Sequence, residues 1–152
     1  MTLRRKKKYE DLSFEALTKI VHGYLHEEGL ELNFRGFREV LQRYFRLHDN
    51  DIVETHEMMI ECNLWYNYFG EVQAILDVKQ EEWTLEADWL FAHEKKAEPS
   101  EELESRIQRA KLRAKHFGMF SKHVESQKKF FWKASEQCQS LYKRGIKNFA
   151  RS

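Results

Sequence analysis

From Ser100 to about Gly145 the chain carries no strong helix breaker, and its apolar residues recur at three- and four-residue steps. Leu103, Ile107, Ala110, Ala114, Phe117, Phe120, Val124, Phe131, Ala134, Cys138 and Leu141 form the series, with gaps at Gln127 and Lys128. An α-helix turns once in about 3.6 residues, so these side chains share one face. The spacing predicts a single long amphipathic helix, close to heptad repeat. Pro99 ends the segment before it. Ser100 is placed to cap the new helix, with Glu101 and Glu102 favourable at its positive end. Such a stripe needs other helices to cover it. The expected fold is therefore all-α: a helical bundle with a long C-terminal amphipathic helix, assembled as an oligomer.

The remaining chain reads the same way. One proline and six glycines in 152 residues, with 34% charged, disfavour a turn-rich β fold. Residues 1–10 hold a basic run, Arg4 to Lys8, read as a solvated arm. Residues 11–48 read as a helical pair. Ser13 caps the first helix, whose stripe is Leu17, Ile20, Val21, Tyr24 and Leu25, and Gly29 ends it. Asn33 caps the second, about 34–47, with Phe34, Phe37, Leu41, Tyr44 and Phe45 inward and Arg35, Arg38, Gln42 and Arg46 outward. Residues 49–152 form the long-helix bundle and oligomerisation region. Its first part follows the turn "HDND" (48–51), where Asp51 and Glu54 resemble a capping box. Within it "LWYNYF" (64–69) is apolar nearly all round, which fits a central position or a subunit contact.

Chemistry-bearing motifs are sparse. Cys62 and Cys138 lie far apart with no CxxC, so reduced thiols are expected rather than a disulfide framework or zinc site. His22 and His26 stand one turn apart, but no third ligand sits at a telling distance, and no metal or cofactor is expected. Glycine-rich phosphate loops and nucleophile motifs are missing, so the chain is not read as an enzyme. It shows no signal peptide and no apolar run long enough to span a bilayer, which reads as soluble and cytoplasmic.

Charge is more informative. The net charge is +1, yet residues 50–102 carry 3 basic and 14 acidic groups, and residues 103–152 carry 13 basic and 3 acidic. A single-sign third is the footprint of a polyanion partner. Arg106, Arg109 and Arg113 follow three- and four-residue steps, with Lys111 and Lys115 as a neighbouring pair. Lys143, Arg144 and Lys147 add cations further on. These eight are the candidate phosphate-binding residues. The acidic middle is read as facing a protein partner.

Three segments carry a family resemblance: "NLWYNYFGEV" (63–72) leading to "LEADWLF" (85–91), "AKLRAK" (110–115), and "HVESQKKFFWKASEQCQSLYKRGIKN" (123–148). In pattern they resemble the UvsY-like recombination mediator proteins of tailed phages, over roughly residues 60–150. The resemblance implies a small all-α homo-oligomer in an infected bacterial cytoplasm. It would bind single-stranded DNA and help load a RecA-type recombinase onto strands coated by single-strand-binding protein. It also implies a DNA role for a Leu-Lys-Ala-Arg box, here Leu112, Arg113, Ala114 and Lys115 with the two basic types exchanged.

Residues expected at the oligomer interface are Trp65, Tyr66, Phe117, Phe120, Val124, Phe131, Trp132 and Leu141. Within "KKFFWK" (128–133), Phe131 falls on the core row and Phe130 on its margin. Trp132 faces Lys128, Ser135, Glu136, Gln139 and Lys143, as a subunit contact or a base platform. Two other readings stand beside the mediator. One is a phage structural or inhibitory protein docking a partner through charged helical faces. The other is a helix-turn-helix duplex binder using the arginine stripe of the second helix.

Overall fold

The structure is a computed structural model that describes residues 12–48, 51–94 and 100–151. The basic arm, the centre of the HDND turn and Pro99 lie outside these residues. Among these residues four α-helices follow in order: α1 (Phe14–Glu27), α2 (Phe37–Phe45), α3 (Ile52–Trp89) and α4 (Glu101–Arg151). A π-helical turn, Leu90–Glu94, extends α3. No strand occurs among the described residues. The all-α reading therefore holds. All eleven members of the α4 stripe are buried. The helix does not stop near Gly145. That glycine sits beneath the Ile52 side chain, where a Cβ would collide with it.

Local signals explain most helix ends. Ser13 Oγ accepts the Ala16 N–H at 3.1 Å, and Ser100 Oγ accepts the Leu103 N–H at 3.1 Å. Asp51 Oδ1 accepts the Glu54 N–H at 3.0 Å and starts α3. At the end of α1, Gly29 adopts φ +75°. Its N–H bonds to His26 O, and the Leu30 N–H reaches back to Leu25 O, a Schellman closure. The start of α2 differs from expectation. Asn33 does not cap it; its side chain accepts the Arg35 N–H at 2.9 Å in an Asx turn. Gly36, at φ +89°, takes the N-cap position instead. Phe45 is not inward either: it is 71% exposed at the last turn of α2.

The chain divides into two compact units. Met1–Leu32 and Gln73–His123 form unit 1, and Asn33–Val72 and Val124–Ser152 form unit 2. Unit 1 holds α1, the later part of α3 and the earlier part of α4. Asp77, Gln80 and Trp83 of α3 meet Ser121, Gly118 and Arg113 of α4 respectively, so these segments are antiparallel. Its buried residues are Leu17, Val21 and Leu25 of α1 with Leu76, Phe117 and Phe120, and Leu90, Leu103 and Ile107 form a cluster of their own. The Ser121 hydroxyl is buried and donates to Asp77 Oδ1 at 2.6 Å.

Unit 2 holds α2 with the complementary helix parts. Asn63 meets Ser135, Tyr66 meets Trp132 and Gly70 meets Lys128, again antiparallel. Its core is a ring cluster. The Phe131 centroid lies 5.9 Å from Phe37, 5.7 Å from Phe69 and 6.2 Å from Trp65. Cys62 and Cys138, distant in sequence, meet here as fully buried thiols. The hydrogen bond to Cys138, then burial, pushes the Cys62 thiol far above its ordinary pKa. Both thiols are free.

Candidate nucleic-acid interface

The arginine series folds as the spacing requires. Arg106, Arg109 and Arg113 lie on one margin of the α4 stripe in unit 1 and line a cleft of about 230 Å³ with Trp83, Glu86, Leu90 and Ala110. Three guanidinium groups around an indole can in principle hold a phosphate beside a stacked base. Glu86 is the one carboxylate of the lining and opposes an anion.

The three arginines are not equivalent. The Arg113 guanidinium stands 4.6 Å from the Tyr24 ring centroid and 4.8 Å from that of Trp83. It also pairs with Glu27 Oε2 at 2.9 Å. Its charge is thus engaged by three groups of its own unit, and its first role is to join α1, α3 and α4. Arg106 pairs with Glu94 at 3.1 Å, an exposed contact of small worth that an arriving phosphate can replace. Arg109 is exposed and has no ion pair among the described residues. Next to the cleft, the Tyr24 hydroxyl and His116 Nδ1 lie 2.7 Å apart. Burial first, then the Lys115 charge, lowers the His116 pKa.

Lys111 and Lys115 are exposed, but they do not join this group. At about 100° per residue they fall roughly 140–180° around α4 from Arg106, on the opposite margin of the stripe. Lys111 and Lys115 stay one turn from each other, and one strand lying in the cleft would not reach both margins. Lys143, Arg144 and Lys147 are exposed on the part of α4 in unit 2.

The expected interface residues divide sharply. Phe117, Phe120, Val124 and Phe131 are 0% exposed and Leu141 is 8% exposed, all inside the chain's own core. They have no surface to offer a second copy, because the aromatic excess fills the unit interiors. Trp65 and Tyr66 are half-buried, and Trp132 is 48% exposed. Trp132 already has a neighbour: its ring lies 5.2 Å from that of Tyr66, over which Lys128 Nζ sits at 5.1 Å. Phe130 leans edge-on against Tyr44 of α2 at 5.7 Å.

The other candidates fare as follows. His22 and His26 are exposed, with rings 6.3 Å apart. Among the described residues no group of three or more potential ligands could hold a metal. The two short helices of the helix-turn-helix reading belong to different units, α1 to unit 1 and α2 to unit 2. No described helix is long and apolar enough to cross a membrane. Trp83, Tyr24 and Glu27 had no signal as site residues, since their meeting depends on α1 folding onto α3 and α4. Comparison with protein-family models, characterised proteins and solved structures finds no match.

Proposed function

We propose that the chain is a non-enzymatic single-stranded-nucleic-acid-binding protein. The observation that carries this reading is the cleft of unit 1, where Arg106 and Arg109 stand exposed beside Trp83. Arg106 and Arg109 neutralise phosphates, and Trp83 offers an indole edge to a base. Arg113 holds the wall in place. Lys143, Arg144 and Lys147 supply further sequence-independent attraction. The UvsY-like resemblance supplies the proposed setting: a mediator that helps a RecA-type recombinase onto single strands coated by single-strand-binding protein. Trp65, Tyr66 and Trp132 are the residues left for contact with a second copy, and assembly would multiply weak contacts into avidity.

Fluorescence anisotropy of a labelled oligothymidylate, titrated over salt, tests the binding. We expect affinity to fall steeply with salt. Arg106→Ala with Arg109→Ala should weaken binding about tenfold or more and flatten the salt slope by about 0.7 per lost phosphate contact. Absence of binding at about 50 mM salt, where several phosphate contacts are strong, ends this reading.

One observation favours a second reading. Two of the cleft arginines already hold carboxylates, Glu94 and Glu27. An acidic protein surface would satisfy the same groups. Binding of a polyglutamate peptide but not of oligothymidylate selects it.

A further inference from the structure

Helix α3 is apolar on two faces. Within unit 1 its buried residues are Leu76 and Ala87. Ile75, Val78, Leu85 and Trp89 are exposed by 40, 54, 59 and 49%. At about 100° per residue these four fall within about 80° of arc, centred roughly 150° from the buried pair. Single exposed apolar side chains are ordinary on protein surfaces. Four aligned over about 21 Å of helix form a stripe of the kind that marks an interaction site.

The charge around the stripe is of one sign. Glu82 interrupts it, Glu86 lies on one margin, and Glu81 and Asp88 lie on the other; all four are exposed. The nearby cation, Lys79, is held by Glu28 at 2.9 Å and Glu82 at 3.0 Å. The Lys79 pair accounts for Glu82, whereas Glu81, Glu86 and Asp88 make no ion pair among the described residues. A second copy meeting this stripe face to face would set carboxylate against carboxylate, which disfavours self-pairing.

We infer that the outer face of α3 in unit 1 is a docking surface for a basic amphipathic helix of a partner protein. Such a helix presents apolar residues at three- and four-residue spacing, with lysine or arginine on both flanks. Ile75, Val78, Leu85 and Trp89 bury its apolar stripe, and Glu81, Glu82, Glu86 and Asp88 meet its cations. The inference does not depend on the nucleic-acid reading, which uses α4.

Two labelled synthetic peptides test it by anisotropy with the full chain. Both carry leucine at helical spacing, one with lysine flanks and one with glutamate flanks. The lysine peptide should bind, and Val78→Ser with Leu85→Ser should weaken it at least tenfold. These positions are exposed, so the circular-dichroism melt should be unchanged. Glu81→Lys with Asp88→Lys should weaken the lysine peptide and strengthen the glutamate peptide. No binding of the lysine peptide, or equal binding of both peptides, overturns the inference. So does sedimentation velocity showing that the wild-type chain self-associates and that Val78→Ser with Leu85→Ser abolishes it, because the occupant is then a second copy.

Discussion

Units 1 and 2 share a plan and differ in what fills it. Each sets one short helix against antiparallel parts of α3 and α4. Unit 2 closes around rings: Phe37, Trp65, Phe69 and Phe131 touch one another with centroids between 5.5 and 6.2 Å. Unit 1 closes around the aliphatic stripe of α1 with Phe117 and Phe120, and then adds polar groups at its margin. There Arg113 lies between Tyr24 and Trp83, and Tyr24 meets His116. The same three- and four-residue spacing serves both. Periodicity therefore fixes which face is inside, and residue identity decides which polar groups stand at the margin: in unit 2 Arg43 of α2 pairs with Glu61 at 2.8 Å and Glu54 at 3.3 Å. In unit 1, burial and then the Lys115 charge lower the His116 pKa, which gives that margin a response to protons.

The largest test strikes the ring cluster. Phe131→Ala removes a fully buried ring whose neighbours are other rings, which collapse poorly into the space. A loss of about 3–5 kcal/mol is expected. Urea denaturation measures it, and hydrogen exchange should show amides of 33–72 and 124–151 losing more protection than those of unit 1. Uniform loss would mean that the units unfold as one.

A smaller effect separates charge from packing in unit 1. Arg113→Met keeps much of the side-chain volume but removes the ion pair to Glu27 and both ring contacts of the guanidinium. We expect a cost of about 1–2 kcal/mol by chemical denaturation, with Arg113→Lys in between. A change in Trp83 emission should accompany it, since the guanidinium lies over that indole.

The smallest effect is that of protons. His116 has a lowered pKa in the folded chain, first through burial and then through Lys115. Below the usual histidine value of about 6.5 the unfolded chain binds the proton more readily than the folded one. The contribution of neutral His116 is therefore complete above that value and declines as pH falls through the window beneath it. Denaturant midpoints measured between pH 7 and 5 should drop. His116→Gln should flatten the part of that drop seen in unit 1 and leave unit 2 unchanged.

These contrasts also show what the sequence could convey. The α4 stripe was legible residue by residue, because the helix is long and one face is apolar while the other is charged. Helix α3 was legible only as helical: its second apolar face, from Val53 to Trp89, masks the one that is buried. The end of α1 was readable from Gly29, whereas Gly36 as the start of α2 was not, since Asn33 offered a competing cap. Among the candidate phosphate ligands, nothing distinguished Arg113 from Arg109. Their difference comes from Tyr24 and Glu27, which are remote in sequence. The same remoteness hid the meeting of Cys62 and Cys138.

Two buried serine hydroxyls have a consequence of their own. Ser121 reaches Asp77 at 2.6 Å in unit 1, and Ser135 reaches Asn63 at 2.7 Å in unit 2. A repeating apolar stripe tolerates sliding, since one heptad looks much like the next. A slip of α4 along α3 by seven residues would leave each serine without its acceptor, at about 1–3 kcal/mol apiece. The hydroxyls thus act as registration marks. They give an otherwise repetitive pair of helices one alignment to settle in.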